Sequence, residues 1–242
     1  MVRAESLEIS YPRRLLDTLK IYGPRTLLQF LTSEIVGLFW FKFVKGSYSQ
    51  MQEDLYIDGL LNRKRKGFYV DVGAFDPERF SNTKRFYIRG WRGINIEPDP
   101  RNIKKFQKER PRDINLNMGI GTRPRRAYFY SFLPDTLSTF SMKEAVKNKE
   151  SGFRFVGKVK VAILSLSIVL EKYCKKGKID LLSVDAEGTD LDVLRSNNWE
   201  KFRPRVICVE TKRQEKIKRY LLAASYREAY NNKINSIFLD EK

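Results

Sequence analysis

The 242-residue chain contains no histidine. Any proton moved near neutral pH must then pass through a carboxylate, a lysine, a tyrosine or a metal-bound oxygen. Cysteine is scarce: Cys174 and Cys208 lie far apart and outside any C-x-x-C spacing, which argues against a disulfide-stapled fold or a cysteine metal site. Cys208 falls within Val206-Ile207-Cys208-Val209, the setting of a buried free thiol. A reducing, cytoplasmic compartment is therefore the expectation. Long apolar runs are missing too. The richest stretch, Arg25 to Val44, is interrupted by Gln29, Thr32, Ser33 and Glu34, and a carboxylate at mid-segment is too costly in hydrocarbon for a simple spanning helix. No small-residue cleavage site follows it, so no signal peptide is expected. Internal repeats and low-complexity tracts are likewise absent.

The residues that remain are those of one catalytic-sized α/β domain, with 42% hydrophobic residues in a chain long enough to bury a full core. Phe68-Tyr69-Val70-Asp71-Val72-Gly73-Ala74 reads as a strand ending in an acid and a glycine. Gly93-Ile94-Asn95-Ile96-Glu97 reads as a second strand ending in an acid. This is how an α/β sheet presents a nucleoside-containing cofactor at its strand ends. NAD and FAD need the three glycines of G-x-G-x-x-G around a pyrophosphate, and only Gly73 is present. S-adenosylmethionine has no phosphate but carries a sulfonium and an amine, which suit acids. Asp71 and Gly73 would lie under its methionine end, and Glu97 would accept from both ribose hydroxyls. The bland alternative is an ordinary strand-to-helix turn and a solvated strand end. A third strand, Lys178 to Val184, ends in Asp185-Ala186-Glu187-Gly188 before a helix carrying Leu191, Val193 and Leu194. It should bring Asp185 and Glu187 into the same crevice as Asp71 and Glu97, a convergence of like charge that calls for a ligand.

Together, Asp71-Val72-Gly73-Ala74, Ser81-Asn82-Thr83, Gly90 to Pro98 and Asp185-Ala186-Glu187-Gly188-Thr189-Asp190-Leu191-Asp192-Val193-Leu194 resemble the FkbM family of S-adenosylmethionine-dependent methyltransferases. The likeness takes in Ser49-Gln50, Glu53-Asp54 and the Arg205 to Glu210 strand. It implies a Rossmann-like class I methyltransferase fold with a mostly parallel seven-stranded sheet and an antiparallel C-terminal strand. It also implies S-adenosylmethionine as cofactor, bound by Asp71, Gly73, Ala74 and Glu97, and O-methylation of a sugar, glycan or small-molecule hydroxyl. Relatives often carry histidines just before the proline, where this chain has Phe75-Asp76-Pro77, and a lysine where it has Ser183. Roles of those residues do not transfer.

Asp113 to Ile120 is expected to form the next strand of the sheet, with Asn117 either hydrogen-bonding the adenine edge or ordering a loop. An insertion at about residues 122 to 164 reads as two strands, Ala127 to Tyr130 and Val159 to Ile163, around a flexible charged middle containing Ser138-Thr139-Phe140-Ser141. It is either a lid that selects the acceptor or an extension of the sheet. The tail from Tyr226 to Leu239 supplies the closing hairpin. For the hydroxyl proton, Asp185 and Glu187 are the first candidates as base, with Asp76 and Glu210 behind them. Alternatively, Asp185 orients the cofactor amine and Glu187 caps the next helix. A divalent ion on these two acids is neither indicated nor excluded.

The net charge of +18 predicts an anionic partner or solvated basic faces. Candidate partners are an anionic or lipid-linked acceptor, a membrane surface, or RNA. No RNA-binding signature accompanies the charge, so an RNA methyltransferase is the second reading and a non-catalytic S-adenosylmethionine-binding adaptor the third. Residues 1 to 46 form a basic, aromatic-rich helical segment in this reading. Flanked by Arg13, Arg14, Lys20, Arg25, Lys42 and Lys45, it either packs on the methyltransferase domain of residues 47 to 242 or lies peripherally on anionic lipid.

Overall fold

Four short runs rich in β-branched and aliphatic residues form the centre of the sheet: β1 (Phe68–Val72), β2 (Arg92–Ile96), β7 (Leu181–Val184) and β8 (Val206–Glu210). They are buried on both faces, as parallel strands covered by helices must be. The computed structural model describes residues 46–175, 177–210 and 214–242. The N-terminal segment expected to pack or to meet lipid lies almost wholly outside the described residues.

The remaining strands in chain order are β3 (Ile114–Leu116), β4 (Gly119–Ile120), β5 (Arg125–Leu133), β6 (Arg154–Leu164), β9 (Tyr226–Asn231) and β10 (Asn235–Asp240). Helices are α1 (Glu53–Leu60), α2 (Lys84–Ile88), α3 (Pro100–Glu109), α4 (Met142–Glu150), α5 (Leu166–Tyr173), α6 (Asp190–Arg195) and α7 (Gln214–Ala223). The main sheet has seven strands in the order β3-β2-β1-β7-β8-β10-β9. All pairs from β3 to β8 are parallel, and β10 runs antiparallel to both β8 and β9. The tail hairpin therefore closes the sheet as the sequence predicts.

The period-two alternation of each strand sorts the core into two layers. Val70, Val72, Ile94, Ile96, Leu182, Val184, Ile207 and Val209 pack with Val169 and Leu170 of α5, Val193 and Leu194 of α6 and Leu221 of α7. Tyr69, Leu181, Val206, Cys208 and Ile237 pack on the other side with Ile57 of α1 and with Phe86, Tyr87 and Trp91. Both cysteines are buried and free.

Strand order reverses between β1 and β7, which creates a crevice at their carboxyl ends. Two expectations need correction here. Asp113 to Ile120 is not one strand: the chain leaves the main sheet after Leu116, and Gly119–Ile120 pairs with β6 in a separate three-stranded sheet of order β4-β6-β5. The insertion therefore does not extend the main sheet. Its middle forms a 3₁₀ turn at Asp135–Leu137 and then α4, whose start is capped by Ser141 accepting from the Glu144 N–H.

Candidate active site

The floor of the crevice is set where β1 ends. Gly73 takes a positive φ of 74°, and a Cβ there would stand 1.8 Å from the carbonyl oxygen of Asp185. Only glycine lets the loop after β1 lie this close to the loop after β7. The Gly73 and Ala74 N–H groups both donate to Ile96 O, at 2.9 and 3.2 Å, and bend the chain over β2. There the buried Glu97 carboxylate accepts from the Phe75 N–H through Oε2 at 2.9 Å and from the Asp99 N–H through Oε1 at 2.7 Å. Burial pushes its pKa up to about 8, and the neighbouring Asp99 and Asp71 add to the rise against those two N–H groups.

Asp71 reaches the same cavity but is held from beneath. Thr83 Oγ1 donates to its Oδ2 at 2.6 Å, and the guanidinium of Arg110, itself fully buried, donates to Thr83 Oγ1 at 2.8 Å and Ser81 Oγ at 2.9 Å. Arg110 Nη2 also donates to Pro77 O. The Asp71 carboxyl is displaced above the usual range, chiefly by burial, with the Thr83 hydroxyl and Arg110 opposing. Asn82, the middle residue of the motif, donates to Ser183 Oγ at 3.2 Å. Ser81-Asn82-Thr83 is thus the clasp between the strand ends and α2. Arg110 is its hub, and the sequence reading passed over it because an arginine in a basic chain carries no signal.

On the far side, Asp185 and Glu187 are both exposed, and Glu187 adopts a left-handed φ of 48°. Their loop is fastened by a residue not singled out from sequence. Asp190, the first residue of α6, accepts from the Ala186 N–H at 2.7 Å and the Gly188 N–H at 3.2 Å. Asp190 therefore caps the loop that carries Glu187. Oxygens of Asp185, Asp190 and Glu210 lie within 4.8 Å of one another, so the acids that geometry groups most closely include Asp185 but not Glu187.

These parts enclose a cavity of about 570 Å³ lined by Asp71, Gly73, Ala74, Glu97, Asp185 and Glu187, a size suited to a small-molecule ligand. All four acids expected at one crevice are in it. Glu210 lines it as well, whereas Asp76 does not: its carboxylate accepts from the Glu78 and Arg79 N–H groups at 3.0 Å and pairs with Lys105 at 3.1 Å. Asn117 is also outside the lining. Its Nδ2 donates to Glu97 O and Pro98 O, both at 2.9 Å, which is the loop-ordering role, and Met118 and Gly119 face the cavity in its place.

The small sheet roofs the cavity. Phe129 of β5 meets Phe140 edge-on, with ring centroids 4.9 Å apart, and Ser138 to Ser141 line the wall. Ser131 Oγ donates to Asp99 Oδ2 at 3.0 Å, tying this roof to the N-cap of α3. Under the 3₁₀ turn a second cavity of about 480 Å³ shares Ser138, Glu187 and Glu210 with the first. The residues fit S-adenosylmethionine: the cavity has the volume, its acids suit sulfonium and ammonium charge, and both Glu97 oxygens are fixed by backbone donors while lining it.

The sequence pattern described as the methyltransferase FkbM domain matches residues 71–231. A crystal structure of an FkbM methyltransferase from Methylobacillus flagellatus is similar over 72% of this chain and 44% of that one, at 14% identity and a TM-score of 0.47. The present chain thus spans less than half its length. A TehB-like SAM-dependent methyltransferase from Corynebacterium glutamicum aligns over 87% of this chain and 99% of its own, at 10% identity and a TM-score of 0.41. The C-terminal domain of precorrin-6Y C5,15-methyltransferase from Rhodobacter capsulatus aligns over 76% and 84%, at 13% identity and a TM-score of 0.38. No curated protein matches the sequence.

Proposed function

The chain belongs to the FkbM methyltransferase family, and from that premise we propose that it moves the methyl group of S-adenosylmethionine to a hydroxyl of a sugar, glycan or hydroxylated small molecule. The cofactor supplies an electrophilic methyl on a good leaving group. What the protein must add is alignment and a route for the hydroxyl proton.

The observation that carries this reading is the placement of Glu97, Asp185 and Glu187 around one cavity whose other wall presents Ser138, Thr139 and Ser141. Glu97, with two oxygens pinned by the Phe75 and Asp99 N–H groups, is the ribose acceptor. Asp71 holds the loop under the methionine end through Thr83. Asp185 and Glu187, both exposed and lining the first cavity, with Glu187 lining the second as well, take the acceptor proton as oxygen attacks the methyl carbon and the sulfur–carbon bond breaks. The hydroxyl-lined wall and roof select the acceptor. Transfer of labelled methyl from S-adenosylmethionine, run against glycan, lipid-linked sugar and RNA pools, tests the proposal. Label in the sugar-containing pools supports it, and label in RNA alone overturns it.

A further inference from the structure

The roof of the cleft has a second face, and its composition is unlike that of the first. Strands β5 and β6 pair antiparallel with Arg126 opposite Ala162, Tyr128 opposite Lys160 and Tyr130 opposite Lys158. Residues directly opposite share a face, and alternate residues along a strand do too, so Arg126, Tyr128, Tyr130, Lys158 and Lys160 stand on one side of this sheet. The other side carries Phe129, which lines the cleft, and the buried Val161 and Ile163. Across their full lengths β5 and β6 carry five basic residues, Arg125, Arg126, Arg154, Lys158 and Lys160, and no acid.

Arg126, Lys158 and Lys160 are exposed, and Tyr128 is 45% exposed among them. None of the ion pairs among the described residues engages these three cations. Instead Lys158 Nζ lies 4.8 Å and Lys160 Nζ 5.9 Å from the Tyr128 ring centroid. β4 meets β6 only at Ile163 and Leu164, so Lys158 and Lys160 stand on the two-stranded part of this sheet, where β5 is their one strand neighbour. Gathering the charges of Arg126, Lys158 and Lys160 on one face carries a repulsive cost that an anionic partner relieves.

We infer that this outer face of the roof sheet, centred on Arg126, Tyr128, Lys158 and Lys160, docks on the surface of a bilayer containing anionic lipid. A planar array of lysines around a tyrosine matches a sheet of laterally mobile headgroups, and the phenol suits the water-to-hydrocarbon boundary. The lysines already over the Tyr128 ring occupy the position a stacked nucleobase would need, which favours headgroups over single-stranded RNA. The inference stands apart from the identity of the methyl acceptor.

Vesicle flotation of the full chain tests it, using phosphatidylcholine alone and phosphatidylcholine mixed with phosphatidylserine. The intact chain should float only with the mixed vesicles and be released at high salt. Lys158→Glu/Lys160→Glu should lower partitioning by roughly tenfold or more, since each such charge near an anionic surface is worth about fivefold. Lys158→Gln/Lys160→Gln should lower it by a smaller factor. Lys104→Glu/Lys108→Glu, an equal charge change at exposed positions on α3, should leave most of the partitioning. Calorimetry with S-adenosylmethionine reports independently that each variant keeps its cleft. If both double variants at Lys158 and Lys160 float like the intact chain, the inference is overturned. Binding of the intact chain to a single-stranded RNA oligonucleotide without flotation on mixed vesicles overturns it too.

Discussion

A Cβ added to Gly73 would fall 1.8 Å from the carbonyl oxygen of Asp185, so the loops after β1 and β7 are in contact through a position that has no side chain. The same contact carries the Asp185 N–H to Val72 O hydrogen bond at 2.9 Å. The two strand ends on either side of the reversal in strand order are thereby in direct contact, so a change at the cofactor floor reaches the candidate base.

Gly73→Ala should therefore do more than strain one residue. A left-handed φ costs about 1 kcal/mol for alanine, and forcing the loops apart adds about 1 to 3 kcal/mol. Gly90→Ala is the matched control, because Gly90 also has a positive φ, of 100°, but its Cβ would meet nothing within 4 Å. Urea denaturation should show the larger loss for Gly73→Ala, and calorimetry should show weakened S-adenosylmethionine binding for that variant alone.

Thr83→Val keeps the shape of the clasp and removes the hydroxyl that donates to Asp71 and accepts from Arg110. A buried carboxylate and a buried guanidinium each lose a partner, so the expected loss is about 1 to 3 kcal/mol. Denaturation should register it at neutral pH. Stability equal to that of the unaltered chain would mean that the Ser81-Asn82-Thr83 clasp is not what fixes Asp71.

The sheet was legible because its signals are local. Val70, Val72, Ile94 and Ile96 alternate with their neighbours, and an acid or glycine punctuates each strand end. The four acids of the crevice followed from those ends alone. Arg110 and Asp190 were not legible. Each acts on partners fixed by tertiary structure, Arg110 reaching Ser81 and Thr83 across 29 and 27 residues of chain. Asp190 carries only a faint signal in the sequence, an acid in the first turn of a predicted helix. The break after Leu116 was hidden because Asn117 turns the chain by donating to Glu97 O and Pro98 O, partners that lie on a different loop.

Asp185→Asn and Glu187→Gln remove basicity with little change of shape. At least one should lower turnover by roughly a hundredfold or more with S-adenosylmethionine affinity nearly intact. Asp190→Asn should instead loosen the Ala186 to Gly188 loop, since an amide replaces one of the two accepting oxygens. Its effect should appear in both stability and turnover. Single-turnover methyl transfer to any accepted substrate separates the three, and full activity in both Asp185→Asn and Glu187→Gln would move the base to another group, with Glu210 next to be tested.

Glu97 makes a prediction in which stability and binding run in opposite directions with pH. Its pKa in the folded chain, about 8, lies above the ordinary value of 4.5 because burial disfavours the charge. Below the ordinary value the carboxyl is protonated in both the folded and unfolded chain, and contributes no slope. As pH rises from about 4.5 towards 8 the unfolded chain releases the proton and the folded chain retains it, so stability falls through that window and levels off above it. Glu97→Gln lacks the ionisation, so the stability difference between the two proteins should shift in favour of the variant between pH 5 and 8, whatever its starting value. Binding should respond the other way. The ionised carboxylate is the stronger acceptor for both ribose hydroxyls, so the affinity of the unaltered chain should rise with pH towards 8 by a component that Glu97→Gln does not show. At pH 8 the variant should bind roughly tenfold or more weakly, from the ~1.5 to 3 kcal/mol of hydrogen bonds to a charged group. Parallel calorimetric and denaturation titrations decide the matter: identical pH profiles for the two proteins would mean that Glu97 neither titrates in this window nor receives the ribose.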